Sequence, residues 1–181
     1  MIADPSQFWK YSFALGSLDE AQEALESLST LRSDQDAARR GLWLQFFISY
    51  ARPFTQSKGI GMISIKTVPA EFKTIHDGLM NMRNYVFAHN DANQEMSEDM
   101  RMNQLVFVKT ATGELQPSIR RPYPAHDQIP KLIGMIEAIA ANVANKVAEQ
   151  VNLMASEHSF LSPGTYTYDY EAEAGSRWTP A

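Results

Sequence analysis

Apolar residues recur at intervals of three and four along most of the chain, the period of an amphipathic helix. Asp4 followed by Pro5 supplies an N-cap side chain and a proline at the first helical position. Phe8, Tyr11 and Leu15 then face inward on a short helix that should end near Gly16. Ser17 and Glu20 have the spacing of a capping box, which predicts a second helix with Leu18, Ala21, Leu25 and Leu28 on one face. Ser33 and Asp36 repeat that box with a shorter acid. The third helix, through "ARRGLWLQFFISYARPF", begins polar and becomes apolar nearly all round, a pattern expected of a central, buried helix. Pro53 should end or kink it.

Residues 55–68 read as a long connection touching an extended piece at Ile63 and Ile65. A fourth helix starts near Pro69, with Phe72, Ile75, Leu79, Met82 and Val86 inward and His76, Met80, Arg83 and Phe87 on a flanking stripe. After the polar "DANQEMSEDM", a β-branched run, a glycine-containing turn and a second short strand predict a β-hairpin over 103–121. The last helix, roughly 127–158, lines Ile129, Ile133, Ile136, Ala140, Val143, Val147, Val151 and Met154 along one face. The sequence therefore predicts a mainly α bundle of about five helices, residues 1–160, with a small hairpin inserted before the last helix. Residues 161–181 form a Tyr-rich extension. Its Tyr166, Tyr168 and Tyr170 share one side if the chain is extended, docking on the domain or a partner, or else forming a tail.

Composition narrows the chemistry. In 181 residues, an apolar share of 44% and a charged share of 20% describe a globular chain able to bury a core. There is no cysteine, which removes disulfides and thiol nucleophiles and fits a reducing cytoplasm. No apolar run is long enough for a bilayer span, and "MIADPSQFWK" lacks the pattern of a secretory signal, so a cytoplasmic location without membrane association is expected. The net charge of −5 argues against a generic nucleic-acid coat. Residues 36–91 nevertheless carry seven basic against four acidic groups, the only net-positive stretch.

That stretch ends in "MRNYVFAHND". On an ideal helix Arg83 and His89 lie about 9 Å apart along the axis and about 120° around it, so they do not share a face. "HNDAN" is rich in helix-ending residues, which lets the backbone re-aim His89 towards the arginine. A second copy across a two-fold axis would instead bring two arginines and two histidines together. Histidine can accept and donate a proton near neutrality, and arginine offers a permanent charge with a fork that fits phosphate oxygens. Cleaving RNA through its own 2′-hydroxyl needs little else, and no metal. The structural alternative has His89 bonded to a helix-end carbonyl and Arg83 paired with Asp77, Asp91 or an acid on the first two helices.

Arg83-Asn84 followed by His89, at the end of a helix in an all-helical chain, resembles the motif of the HEPN superfamily. The form "RNxxxAHND" looks closest to its abortive-infection-like and uncharacterised bacterial members. The resemblance implies a helical bundle, a homodimer, and a metal-independent ribonuclease without a cofactor, of the kind found in toxin–antitoxin and phage-defence systems. It implies that Arg83 binds the scissile phosphate, His89 is the acid–base and Asn84 orients them. Asp91 is a candidate for orienting His89. Members controlled by a nucleotidyltransferase antitoxin often carry a tyrosine where this chain has Asp91, so the resemblance does not extend to that partner, though another antitoxin or regulatory protein would fit. Many such domains also serve as non-catalytic dimerisation or adaptor modules, which is the competing expectation.

The remaining motifs carry less. Arg120-Arg121 beside the hairpin could hold an RNA backbone, or simply end a strand in solvent. Arg39-Arg40 are expected to face solvent, and Arg52 to face the carbonyl-rich end of its helix. His76-Asp77, His126-Asp127 and Glu157-His158 are sequence neighbours that point apart on a helix, so no metal site is expected. Gly59-Ile60-Gly61 is a lone GxG with no preceding strand and no phosphate-loop continuation.

Overall fold

A computed structural model describes residues 5–32, 35–56, 59–83, 95–97, 100–101, 106–118, 123–157, 164–168 and 178–180. Among them the fold is mainly α. Four α-helices, α1 (Pro5–Thr30), α2 (Asp36–Ala51), α3 (Lys73–Asn81) and α4 (Ile129–Glu157), are joined by 3₁₀ turns and irregular chain.

The expected break at Gly16 does not occur: the first two predicted helices are one, α1. Ser17 does not cap a new helix but lies within α1 on its buried face, 3% exposed. The energetics favour continuity. A glycine inside a helix costs roughly 1 kcal/mol relative to alanine. Each large apolar side chain buried by the uninterrupted stripe Ala14, Leu18, Ala21, Leu25 and Leu28 contributes about 1.5–3 kcal/mol in return. That stripe makes α1 the centre of the fold, packed against both α4 and α2.

The apolar circumference of α2 predicts a central helix, and the structure places it at the side of the bundle. Trp43, Phe46, Phe47 and Tyr50 enter the core, whereas Leu44 and Ile48 are 42% and 41% exposed. Its chief helical neighbour is α1 alone, so only one broad face can be covered. The second expected capping box is not what opens α2 either. Gln35 takes the N-cap position without a side-chain cap, and Ser33 lies outside the described residues. Pro53 ends α2 as predicted, within a 3₁₀ turn over Arg52–Phe54.

The 59–68 connection is not strand-like. Ile63 is buried and its N–H donates to the Pro53 carbonyl at 2.8 Å, while Ile65 opens a 3₁₀ turn and is 47% exposed. Gly59 and Gly61 adopt φ of 94° and 79°, the left-handed region open to glycine, so this GxG serves chain direction. The connection is tied to α4 by Asn142 Nδ2, which donates to the Thr67 carbonyl at 2.9 Å.

Short antiparallel pairings complete the described chain: β1 (Glu95–Ser97) with β2 (Met100–Arg101), β3 (Val106–Lys109) with β4 (Leu115–Ser118), and β5 (Tyr166–Tyr168) with β6 (Trp178–Pro180). None joins a larger sheet among the described residues. The β3–β4 pair falls within the predicted 103–121 segment, with Val106 opposite Ser118 and Lys109 opposite Leu115. Gly113 turns it at φ 86°, its N–H donating to the Thr110 carbonyl at 2.9 Å. The Tyr-rich extension contains β5, with Tyr166 opposite Pro180 and Tyr168 opposite Trp178.

Helix α4 carries Ile129, Leu132, Met135, Ile136, Ile139 and Val143 into the core, and its stripe runs out at Val151, which is 46% exposed. No helix among the described residues is long and apolar enough to cross a membrane.

Candidate functional site

Helix α3 carries the described part of the predicted site. It follows a 3₁₀ turn over Ala70–Phe72, runs from Lys73 to Asn81, and passes into a π-type turn at Met82 and Arg83. Leu79 is buried, and Phe72, Ile75 and Met82 pack against the same core, which follows the predicted inward stripe. Arg83 is half-buried. Asn84, His89, Asp91, Arg120 and Arg121 lie outside the described residues, as do Val86 and Phe87 of the predicted stripes.

The helical period puts His76 beside Arg83 on a flanking stripe and points to no role for it. It is instead a buried member of the core, 3% exposed. Its Nδ1 lies 2.7 Å from the Tyr50 hydroxyl, which also sits 3.7 Å from Met135 Sδ. With the imidazole proton on Nε2, Tyr50 donates to Nδ1. With it on Nδ1, His76 donates to the Tyr50 oxygen and Tyr50 is free to donate to sulfur. Either tautomer satisfies the contact between α2 and α3, and Met135 brings in α4. Phe54 packs edge-on against the imidazole at 4.5 Å, and Tyr50 continues an aromatic ladder through Phe46 and Trp43.

Burial sets the electrostatics of this pair. Desolvation lowers the His76 pKa below the ordinary imidazole value, with the neighbouring Asp77 pulling weakly the other way. Desolvation, assisted by Asp77, pushes the Tyr50 phenol well above its usual range. Both groups are therefore neutral near pH 7. The pair resembles a structural clamp more than acid–base machinery. His76 lies seven positions before Arg83, about two helical turns, so the clamp fixes the helix that presents the arginine.

Arg52 also differs from expectation. Rather than serving only the end of α2, its Nη1 pairs with Glu20 Oε2 at 2.9 Å, and Ser49 Oγ donates to the same oxygen at 2.8 Å. This network staples α2 to α1 on a face that is half exposed. Arg40 is exposed as expected. Arg39 is one-third exposed, donates from Nη2 to the Arg32 carbonyl at 3.0 Å, and approaches Asp36 at 3.6 Å. No group of three or more metal-ligating side chains occurs among the described residues.

The described residues define a mainly α-helical protein with a Tyr–His clamp behind a half-buried arginine. Comparison with protein-family models, with curated proteins and with solved structures finds no match.

Proposed function

We propose that the protein is a metal-independent endoribonuclease of the HEPN type, acting as a homodimer in a toxin–antitoxin or phage-defence setting. Arg83 binds and polarises the scissile phosphate, His89 is the acid–base, and Asn84 orients them. Asp91 holds the His89 ring, and Arg120 and Arg121 hold the flanking RNA backbone. The observation that supports this reading is the placement of Arg83: half-buried, two residues past the end of a helix clamped to the core through His76 and Tyr50. Sites that must hold a phosphate in one geometry profit from a rigid, packed support of this kind.

In the reaction so assigned, the 2′-hydroxyl loses its proton to one His89, its oxygen attacks phosphorus, and the leaving 5′-oxygen gains a proton from the second. Arg83 stabilises the charge that builds on the phosphoryl oxygens. The products are a 2′,3′-cyclic phosphate and a 5′-hydroxyl. Purified protein incubated with a mixed RNA pool in excess chelator should cleave it and leave those ends. His89→Ala and Arg83→Gln should each lower the rate by at least about a hundredfold. Cleavage unchanged in His89→Ala would remove that residue from the mechanism.

A second reading, a non-catalytic dimerisation or adaptor module, is favoured by exposed apolar side chains on the outer faces of the bundle. Trp9 and Phe13 on α1 are 59% and 41% exposed, and Leu44 and Ile48 form a similar pair on α2. This reading predicts partner binding that His89→Ala leaves unaltered.

A further inference from the structure

A cavity of about 390 Å³ opens at the end of the bundle where α1 finishes and α2 and α4 begin. It is built by elements other than α3, and nothing in the ribonuclease reading uses it. Leu28 and Leu31 come from the end of α1, Trp43 from α2, Ile129 from the start of α4, and Tyr123 and Pro124 from the segment before it. Leu28, Trp43 and Ile129 are buried, so the floor is apolar. The rings of Trp43 and Tyr123 stack nearly parallel, 9° apart at a centroid distance of 6.0 Å, and give the cavity an aromatic side.

Among the described residues the lining also includes two basic side chains, Arg39 and His126, and no carboxylate. The Arg39 guanidinium is held by the Arg32 carbonyl at 3.0 Å, which fixes its position and leaves other N–H groups to donate. Asp36 approaches it only at 3.6 Å and is three-quarters exposed, so water screens that charge. Two helices start at this end, α2 without a side-chain cap and α4 behind a 3₁₀ turn over His126–Gln128, and helix starts favour negative charge.

The Trp43 indole N–H supplies a third, independent sign. Trp43 is 3% exposed and lines the cavity, yet its N–H has no acceptor among the described residues. Indole can only donate, and buried donors in native proteins almost always have a partner. The cavity lies within the 300–1,000 Å³ range typical of small-molecule sites, roughly the room a bicyclic ring system needs.

We propose that this cavity is a binding site for a small, flat organic monoanion, a bicyclic aromatic carboxylate or a molecule of that chemistry. Its ring system lies against Trp43 and Tyr123. Its carboxylate takes hydrogen bonds from Arg39 and His126, and the Trp43 N–H donates to an acceptor on the ligand. A single guanidinium matches one negative charge, and the apolar floor excludes a heavily hydrated polyanion.

The test uses the full chain with 2-naphthoate, its neutral amide and the corresponding naphthylmethyl ammonium ion as probes. The three tryptophans give three indole N–H signals in a ¹H–¹⁵N correlation spectrum, and Trp43→Phe assigns one of them. Naphthoate should shift that signal saturably with a dissociation constant below about 1 mM. The amide should bind about tenfold or more weakly, and the cation not at all. Arg39→Gln should weaken naphthoate about tenfold while leaving the amide unchanged, a split that mere misfolding would not produce. Leu31→Trp, which fills the cavity, should remove binding of both. The proposal is overturned if naphthoate moves no indole signal, if it moves only those of Trp9 and Trp178, or if acid and amide bind equally. RNA cleavage decides the ribonuclease reading separately, since neither Arg39 nor Trp43 takes part in it.

Discussion

Tyr50→Phe isolates the clamp behind Arg83. The substitution removes one oxygen and keeps the ring that packs against Phe46 at 5.8 Å and Phe54 at 5.7 Å. What is lost is the 2.7 Å contact to His76 Nδ1, which leaves a polar ring nitrogen buried without its partner. Removing one member of a buried hydrogen-bonded pair costs about 1–3 kcal/mol, and the drier phenyl ring returns a small part of that. With a urea slope of roughly 2 kcal/mol/M, the unfolding midpoint should fall by about 0.5–1.5 M. His76→Leu should also destabilise, but less than additively in combination with Tyr50→Phe. Each single change already breaks the same contact, so the coupling should be about 0.5–3 kcal/mol. Equilibrium urea unfolding of the parent, both single variants and the double variant completes the cycle. A parent-like midpoint for Tyr50→Phe, or fully additive losses, would refute a clamp.

Acid should weaken the fold through His76. Its native pKa is lowered by burial, so on descending through the ordinary imidazole range the unfolded chain takes up a proton that the native protein resists, and stability falls with pH. The parent should lose stability between about pH 7 and pH 5 more steeply than His76→Leu, as followed by urea unfolding at each pH. Tyr50 acts at the other end: its raised native pKa means that stability is lost as pH rises past about 10, where only the unfolded phenol ionises, and Tyr50→Phe should flatten that loss. Gly16→Ala should stabilise by about 0.5–1 kcal/mol, because a Cβ there meets nothing within 4 Å and α1 is continuous; a loss of stability in thermal unfolding would restore the break at Gly16. Arg52→Ala should cost no more than about 1 kcal/mol, since its pair with Glu20 is half exposed and screened, and the cost should shrink in high salt.

The sequence carried the helical periods well because each depends on neighbours within a few positions. The stripes Leu18, Ala21, Leu25, Leu28 and Ile129, Ile136, Val143 are buried as their spacing requires. The errors arose where a local signal competed with packing at longer range. Ser17 and Glu20 have capping-box spacing, but Ser17 faces the core and Glu20 answers Ser49 and Arg52, residues roughly thirty positions away. In the same way, an apolar circumference on α2 indicated a central helix. How many neighbours a helix finds is settled by the rest of the chain, and α2 leaves Leu44 and Ile48 in solvent.

The clamp was legible only in part, for a physical reason that also bears on the candidate site. A histidine in a helical pattern looks the same whether it faces water or core, and its partner, Tyr50, lies 26 positions away on another helix. One signal was available: His76 adjoins the inward stripe through Ile75 and Leu79, so a modest rotation of α3 buries it. The price of burying an imidazole makes such a rotation unfavourable unless the ring nitrogen finds a partner, and Tyr50 supplies one in either tautomer. Turning His76 inward also fixes the azimuth of Arg83, which lies seven positions on and only about 20° away around the same helix. The arginine is therefore drawn towards the core side, consistent with its half-buried state. Arg83 stands in a π-type turn, where the chain leaves the regular α geometry. A buried neutral histidine and a half-buried arginine thus share one stripe of that helix, and the contact of the first to Tyr50 holds the rotation of both.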